Sequence, residues 1–171
     1  MNWIHIVKQR ITTLDVECVV NAANEGLWAG GGVCGAIFNA AGYEKLERAC
    51  QEIGYCSTGS AVITPGFDLK AKYIIHAVGP KWQDGKHNEE MLLRSCYQAA
   101  MQIALEKGCK SIGFPVISSG IFGYPKKEAW EVALSAVGGC QGDMEIYFAV
   151  IDEAMYELGN QVYMSLFDYP D

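Results

Sequence analysis

Amide side chains and clustered glycines lie close together in one segment near the amino terminus. Asn21 and Asn24 are followed by three consecutive glycines at positions 30–32 and then by Gly35. An amide can donate one hydrogen bond and accept another, so it can bind two hydroxyl groups of one ligand. Glycines let backbone N–H groups approach a ligand closely, and a helix that begins there adds positive potential. This combination is typical of a phosphate-binding site.

A strand and a helix are predicted on either side of these glycines. Residues 17–21 form a short stretch with β-branched side chains, which favours a strand. Residues 33–41 are alanine-rich and predict a helix that stops at Gly42. Two alternatives remain open, since adjacent glycines also suit a tight turn without a ligand. In such a turn Asn24 would hydrogen-bond its own backbone.

The same glycines fit a second motif. Gly30, Gly32 and Gly35 match G-x-G-x-x-G, the fingerprint of dinucleotide-binding folds. However, they come several residues after the strand, and no clear acidic residue ends a strand about 20 positions further on. A P-loop is excluded because no Gly-Lys-Ser/Thr follows. An NAD-dependent oxidoreductase is therefore kept only as a third hypothesis.

A second glycine loop occurs later in the chain, within residues 114–125 (FPVISSGIFGYP). Gly120 and Gly123 bracket an apolar pair, and Ser118 and Ser119 precede them. Both glycine loops follow predicted strands, and ligands of open α/β sheets sit outside the carboxyl ends of the strands. The two loops could therefore face one ligand. The alternative is a surface loop that buries one phenylalanine.

Strands and helices are predicted to alternate along the chain, which argues for an α/β fold with helices on both faces of a sheet. His76, inside an apolar stretch, is expected to be a buried histidine with hydrogen-bond partners. The last helix is predicted over residues 152–158, with Asp152 at its cap. We therefore expect one domain, residues 1–171, with a core at about residues 4–158 and an irregular tail at residues 159–171. The other strands are predicted at 3–8, 61–64, 73–78, 111–117 and 145–151, and two other helices at 43–53 and 126–137. A further helix is predicted from Asn88, which can cap it, to near Gly108, with the apolar positions 92, 96, 99 and 103 on one face.

Composition and charge restrict the class of protein. The chain has 171 residues and a formal net charge of −7, so nucleic-acid binding is not expected. A pyrophosphate would have to be held by backbone N–H groups and helix ends. No long apolar run suggests a signal peptide or a membrane span. The seven cysteines form no metal-binding spacing and are expected to be reduced in a cytoplasmic protein, a disulfide framework being the alternative.

Together these segments resemble the macrodomain, an ADP-ribose-binding module, and within it the branch that hydrolyses mono-ADP-ribose. The pattern VNAAN, GGGV, GAI and AAG occurs in order within residues 19–42. The FPVISSGIFGYP segment resembles the second phosphate loop of that module, and TGSA (58–61) and YIIHAVGP (73–80) lie between the two. The resemblance covers roughly residues 4–158.

The resemblance implies a three-layer α/β/α sandwich with a mixed central sheet and no cofactor. It assigns Asn24 to the distal ribose, whose anomeric carbon reacts, and the second loop to the pyrophosphate, with Phe122 near that ribose. Asn24 and Cys34 are the candidate catalytic positions. The candidate ligand-binding residues are Ile11, Asn24, Gly31, Gly32, Val33, Cys34, Ser118, Ser119, Gly120, Ile121, Phe122 and Ile151.

Four positions depart from the family pattern. Cys34 replaces an Asp that positions or activates water in the active branch, and Phe38 replaces a His. A thiol is a weak general base unless a helix N-terminus activates it, and a free cysteine often acts as a small apolar residue. Arg10 stands where an Asp usually accepts from adenine, and Ile151 aligns with an aromatic residue. Arg10 could stack on the base but cannot accept that hydrogen bond.

Two functions therefore remain open from the sequence. The first is a hydrolase that releases mono-ADP-ribose from a modified acceptor or deacetylates O-acetyl-ADP-ribose. The second is a non-catalytic reader of ADP-ribose, which Cys34 and Phe38 favour. The expected partners are ADP-ribose or a derivative and an ADP-ribosylated protein, with neither nucleic acid nor membrane.

Overall fold

One sheet of six strands forms the centre of the computed structural model, which describes residues 2–167. The strands are β1 (Trp3–Lys8), β2 (Cys18–Ala23), β3 (Ala61–Pro65), β4 (Tyr73–Val78), β5 (Ser111–Phe114) and β6 (Glu145–Val150). Their order across the sheet is β1-β6-β5-β2-β4-β3. All neighbouring pairs are parallel except β3 and β4, which are antiparallel. The sheet is therefore mixed.

Five helices cover the two faces of this sheet, and a short 3-10 turn follows β1 at Ile11–Thr13. The helices are α1 (Gly32–Ala41), α2 (Tyr43–Ile53), α3 (Glu89–Glu106), α4 (Lys126–Gly138) and α5 (Glu153–Phe167). α1 and α2 pack on one face, whereas α3, α4 and α5 pack on the other. The α/β/α sandwich with a mixed central sheet is confirmed.

Alternation along the central strands produces the two halves of the core. Val20 and Ile75 face the layer of α3 to α5, while Val19 and Ile74 face the layer of α1 and α2. Because both faces are covered, β2 and β4 are almost entirely buried, as is typical of parallel strands. The carboxyl ends of β2, β4, β5 and β6 meet at one edge of the sheet, where both glycine loops lie.

The carboxyl-terminal segment differs from the prediction. Residues 159–167 were expected to be irregular, but α5 continues to Phe167. Gly159, the first residue of the predicted tail, packs against the Trp130 ring of α4, and a Cβ there would lie 2.6 Å from Trp130 Cζ2. The glycine permits close helix packing rather than a turn. Residues 168–171 of the predicted tail lie outside the described residues.

α3 also differs from its prediction in two details. The stripe at positions 92, 96, 99 and 103 was expected to face the core, but the buried residues are Leu93, Cys96, Tyr97, Ala100, Met101 and Ala104, with Glu89 at the start. Asn88 was expected to cap the helix, yet it has a left-handed backbone (φ 62°) and makes no side-chain cap bond. β5 ends at Phe114, three residues earlier than predicted, because the chain turns there into the second loop.

The structure also describes the state of the cysteines and the character of the helices, which relate to the expected reduced thiols and to the expected lack of a membrane span. All seven cysteines lie within residues 2–167 and are free thiols, and six of them are buried. Of the helices at positions 2–167, none combines the length and apolar character that a membrane crossing requires.

Candidate functional site

A cavity of about 620 Å³ opens at the carboxyl edge of the sheet, between the two glycine loops. Segments that follow β1, β2, β5 and β6 line it, together with the first turn of α1. This is the position in which ligands of open α/β sheets bind. We call it the main cavity. Eleven of the twelve candidate ligand-binding residues line it, namely Ile11, Gly31, Gly32, Val33, Cys34, Ser118, Ser119, Gly120, Ile121, Phe122 and Ile151.

The first loop, residues 24–31, leads into the amino terminus of α1. Gly31 is the residue before the helix, and Gly32 adopts a positive φ of 57° that favours glycine. The first N–H groups of an α-helix have no partner within the helix. The first residues of α1 line the main cavity, so these N–H groups are potential donors to an anion there. Gly35 has a packing role, since a Cβ there would lie 2.8 Å from the Gly30 carbonyl oxygen.

The second loop, residues 118–123, is held in shape from below. Ser118 has a positive φ of 67°, and its hydroxyl donates to the Pro80 carbonyl over 2.7 Å. The Tyr124 N–H donates to the Ser118 carbonyl, and the Gly123 N–H donates to the Gly120 carbonyl. Within residues 2–167, the N–H groups of Gly120, Ile121 and Phe122 donate to nothing. The loop therefore presents three consecutive donors to the main cavity.

Asn24, the twelfth candidate ligand-binding residue, does not line the main cavity. Its side-chain nitrogen donates to the Trp28 carbonyl over 2.9 Å, and its oxygen accepts from the Trp28 N–H over 3.1 Å. Both ends of the amide are thus used inside the first loop, which is the alternative that the sequence left open. Asn24 lines a neighbouring cavity instead of the main one. Its contact with a ribose stays a prediction, and it requires the amide to exchange Trp28 for the ligand.

Cys34 is buried beneath the first loop in a chain of polar groups. Its sulfur accepts from the Gly30 N–H over 3.4 Å and from the Asn21 side chain over 3.6 Å. The Asn21 amide also meets His76 Nδ1 at 3.0 Å, and His76 Nε2 meets the Thr64 hydroxyl at 3.0 Å. His76 is therefore buried with partners, as expected. Burial lowers its pKa to about 4, so the ring is neutral near pH 7.

The end of the main cavity at β1 and β6 is largely apolar. Ile11, Ile151 and Met155 line it, together with Arg10 and Asp152. Arg10 is exposed, and no ion pair of its guanidinium occurs among residues 2–167. Asp152 accepts from the Ala154 N–H, which leaves its second carboxylate oxygen available. The sequence indicated Asp152 only as a helix cap, and no local pattern distinguishes a cap from a cavity residue.

A second cavity of about 440 Å³ adjoins the main cavity on the side of β2 and β4. Gly79 and Phe122 line both cavities and form the boundary between them. Gly79 fits tightly, since a Cβ there would lie 2.3 Å from the Ser118 hydroxyl oxygen. The sequence singled out neither Gly79 nor this cavity. The remaining lining residues are Asn24, Glu25, Gly26, Trp28, Thr58, Val78, Pro80, Lys81, Gln83, His87, Glu89 and Leu92.

A buried carboxylate shapes the far side of the second cavity. Glu89 accepts hydrogen bonds from the backbone N–H groups of Gln83, Asp84, Gly85 and His87. Burial acts to raise its pKa, but these four donors outweigh that effect and lower the pKa to about 2. Glu89 therefore holds together the turn before α3 as an ionised side chain.

No metal cluster was expected, yet three possible ligands approach one another beside this turn. Ligand atoms of Asp84, His87 and Glu89 lie within 4.8 Å of one another. The His87 ring contacts the Asp84 carboxylate at 2.8 Å, and the Glu89 carboxylate is occupied by backbone N–H groups. The hydrogen bonds of the turn account for this grouping.

Comparisons with known proteins agree with this geometry. The Macro domain family model matches residues 20–133. A macro domain-containing protein of Listeria monocytogenes is 50% identical over 169 residues, covering 93% of this chain and 96% of its own length. A protein of Escherichia fergusonii named O-acetyl-ADP-ribose deacetylase is 45% identical over 167 residues, covering 93% of this chain and 94% of its own.

A solved structure is similar over nearly the whole fold. The Oceanobacillus iheyensis macrodomain, a mutant with ADPR, superposes with a TM-score of 0.93 at 36% identity. The match covers 97% of this chain and 94% of the other. The family model spans more than half of the residues, and the relatives match over almost their full length. The chain therefore belongs to the macro domain family.

Proposed function

We propose that this protein binds ADP-ribose in the main cavity and hydrolyses an ester that links the distal ribose to an acyl group. The observation that carries the proposal is the convergence of two sets of backbone N–H donors on one cavity. The first turn of α1 provides one set, and Gly120, Ile121 and Phe122 provide the other. Such donors suit a pyrophosphate on a chain whose net charge is −7.

The order of strands suggests how the ligand lies. The apolar end, with Ile11, Ile151 and Met155, follows β1 and β6 and suits the adenosine. The two loops follow β2 and β5 in the middle and suit the pyrophosphate. The distal ribose then lies on the β2 and β4 side, beside Phe122 and the second cavity. Related proteins whose names mention ADP-ribose or ADPR support ADP-ribose as the ligand.

The chemistry relies mainly on positioning. The loops hold the pyrophosphate and bend the distal ribose, and a water between phosphate and sugar attacks the ester. The water oxygen bonds to a carbon of the ester linkage, the bond from that carbon to the bridging oxygen breaks, and a proton passes to solvent. Asn24 exchanges its bonds to Trp28 for the ribose hydroxyls and orients the sugar. Holding the reactants in this geometry can supply much of the rate acceleration. The products are ADP-ribose and a carboxylate.

A non-catalytic reader of ADP-ribose is the second candidate. The observation that favours it is Cys34, whose sulfur is buried and accepts hydrogen bonds from Gly30 and Asn21. A thiol in this position does not replace the carboxylate of the active branch as an acceptor for a water proton. The donors of the main cavity serve both functions equally.

Release of ADP-ribose tests the proposal. The substrates are a protein mono-ADP-ribosylated on carboxylates and O-acetyl-ADP-ribose, each assayed with the native chain and with Asn24→Ala. We expect release from at least one substrate, and a strong decrease with Asn24→Ala. If neither substrate reacts while calorimetry shows binding of ADP-ribose, the reader is the correct function. Absence of binding would contradict both.

A further inference from the structure

The second cavity has a defined position relative to a ligand in the main cavity. The two cavities share Gly79 and Phe122, which follow β4 and lie in the second loop. A ligand whose base lies at the β1 and β6 end extends its distal ribose toward this shared boundary. A group attached to the anomeric end of that ribose therefore enters the second cavity.

The size of the second cavity indicates what that group is. An acetyl group has three heavy atoms and fills roughly 90 Å³ if each occupies about the volume of a water molecule in the liquid. The cavity measures about 440 Å³, several times more. It accommodates an acidic side chain together with adjacent peptide backbone.

Aromatic side chains at the rim indicate a polypeptide as well. Trp28 lines the cavity and is 64% exposed, and Tyr55, bonded to the lining residue Glu25, is 60% exposed. Large exposed aromatic residues beside a cavity are characteristic anchors of protein interfaces.

The charges of the second cavity leave one cation without an ion pair. The Glu89 carboxylate is occupied by backbone N–H groups, and Glu25 accepts from the Thr58 N–H, the Tyr55 hydroxyl and the Thr58 hydroxyl. The Lys81 ammonium lies 5.6 Å from the centroid of the Phe122 ring, at the boundary. Among residues 2–167, no carboxylate lies within ion-pair distance of Lys81.

We propose that the second cavity is the acceptor site, which takes the modified acidic side chain and flanking peptide of a mono-ADP-ribosylated protein, with Lys81 facing the ester carbonyl. This inference rests on ADP-ribose as the ligand of the main cavity. In the reaction, a bond forms between the water oxygen and the anomeric carbon, and the bond from that carbon to the carboxyl oxygen breaks. The carboxylate leaves with the electron pair beside Lys81, and a proton of the water passes to solvent.

Binding of an inert substrate analogue tests the acceptor site without requiring turnover. The probe is a peptide that carries ADP-ribose through an amide in place of the ester, compared with free ADP-ribose by calorimetry. We expect the peptide to bind about tenfold more tightly, because the aromatic rim and Lys81 add contacts. Trp28→Ala should remove most of this gain while changing the affinity for ADP-ribose less than about twofold, since the bonds of Asn24 are to the Trp28 backbone.

Lys81 is tested by three variants. Lys81→Met should lower kcat/KM for the ester-linked peptide about fivefold, as expected for one charge pair between the ammonium and the leaving carboxylate near a protein surface. It should lower the affinity of the analogue only about twofold, because the amide carbonyl is neutral. Lys81→Arg should restore both. Lys107→Met is the matched control, because Lys107 lies 5.7 Å from the centroid of the Tyr73 ring, remote from both cavities.

The outcomes separate this inference from the proposed function. If the analogue binds no more tightly than ADP-ribose, or if Lys107→Met has the effect of Lys81→Met, the acceptor site is wrong. Failure of Lys81→Arg to restore the effect contradicts the role of the charge. If the analogue gains affinity through Trp28 and Lys81 but the ester is not hydrolysed, the acceptor site stands and the hydrolase does not.

Discussion

The two glycine loops lie at the same edge of the sheet but use their polar groups differently. In the first loop, backbone donors are already bonded within the protein. The Trp28 N–H donates to the Asn24 side chain, and the Gly30 N–H donates to the sulfur of Cys34. The second loop leaves the N–H groups of Gly120, Ile121 and Phe122 open toward the main cavity. Ile121, at its tip, is completely exposed.

This difference predicts that the second loop mainly sets the affinity for the ligand, whereas the first loop mainly affects the rate of the reaction. The second loop is already arranged to accept an anion, so it should provide much of the binding free energy. In the first loop, Asn24 would have to exchange its bonds to Trp28 for bonds to a ligand, so we expect its contribution to appear mainly in the reaction of the bound ribose. Interactions that form only in the transition state raise kcat rather than affinity.

The largest effect is expected when the second loop is blocked. In Gly120→Val, the branched side chain covers the three open N–H groups, and the Kd for ADP-ribose should rise on the order of a thousandfold. The fold should persist, because a Cβ at Gly120 meets no atom within 4 Å. Calorimetry and thermal unfolding measure the two effects, with Gly120→Ala as the smaller matched change. Unchanged affinity would contradict the assignment of this loop to phosphate.

The polar chain beneath the first loop should make stability depend on pH. Burial lowers the pKa of His76 from 6.5 to about 4, so the unfolded chain binds a proton in this window that the folded chain does not. The free energy of unfolding should therefore fall by about 3 kcal/mol as the pH drops through the window, and this contribution stops changing below it.

Chemical denaturation at a series of pH values measures the dependence on His76. His76→Gln should remove the slope between pH 6.5 and pH 4. A separate loss of the free energy of unfolding is expected at lower pH from Glu89, whose pKa is lowered from 4.5 to about 2. This second loss should persist in the variant. An unchanged slope in His76→Gln would show that another group titrates.

Asn24→Ala should separate turnover from binding. The variant loses the amide that orients the ribose, and the rate of ADP-ribose release should fall about a hundredfold. The affinity for free ADP-ribose should fall less than about tenfold, because the donors of the second loop remain. Single-turnover kinetics and calorimetry on the same preparation test this. Equal losses in rate and affinity would place Asn24 in general ligand binding.

Cys34→Asp should have the smallest effect. The Gly30 N–H and the Asn21 amide already point at the sulfur, so they can hold a carboxylate in its place. Release should rise by about tenfold or less if a missing carboxylate limits the reaction. Cys34→Ser is the control of similar size without a charge. No gain with Asp would mean that positioning by the loops, rather than position 34, sets the rate.

Much of the fold and of the main cavity could be predicted from the sequence. Glycine clusters after apolar strands indicated both loops, and eleven of the twelve candidate ligand-binding residues line one cavity. Asn24 was the exception, because a side chain that bonds its own loop and one that faces a ligand leave the same sequence pattern. Gly159, where the irregular tail was predicted to begin, is a similar case, since a glycine that ends a helix looks identical in sequence to one that permits packing against Trp130.

The sequence by itself determined the class of fold, the two glycine loops that follow strands and the presence of a cysteine at position 34. These follow from local rules, since backbone conformation and hydrophobic periodicity act between near neighbours in the chain. Only the tertiary structure decided that Phe122 and Gly79 separate two cavities, that Lys81 lies at the boundary, and that Glu89 holds together the turn before α3. Those arrangements depend on contacts between segments distant in sequence, which packing of the sheet and helices brings together.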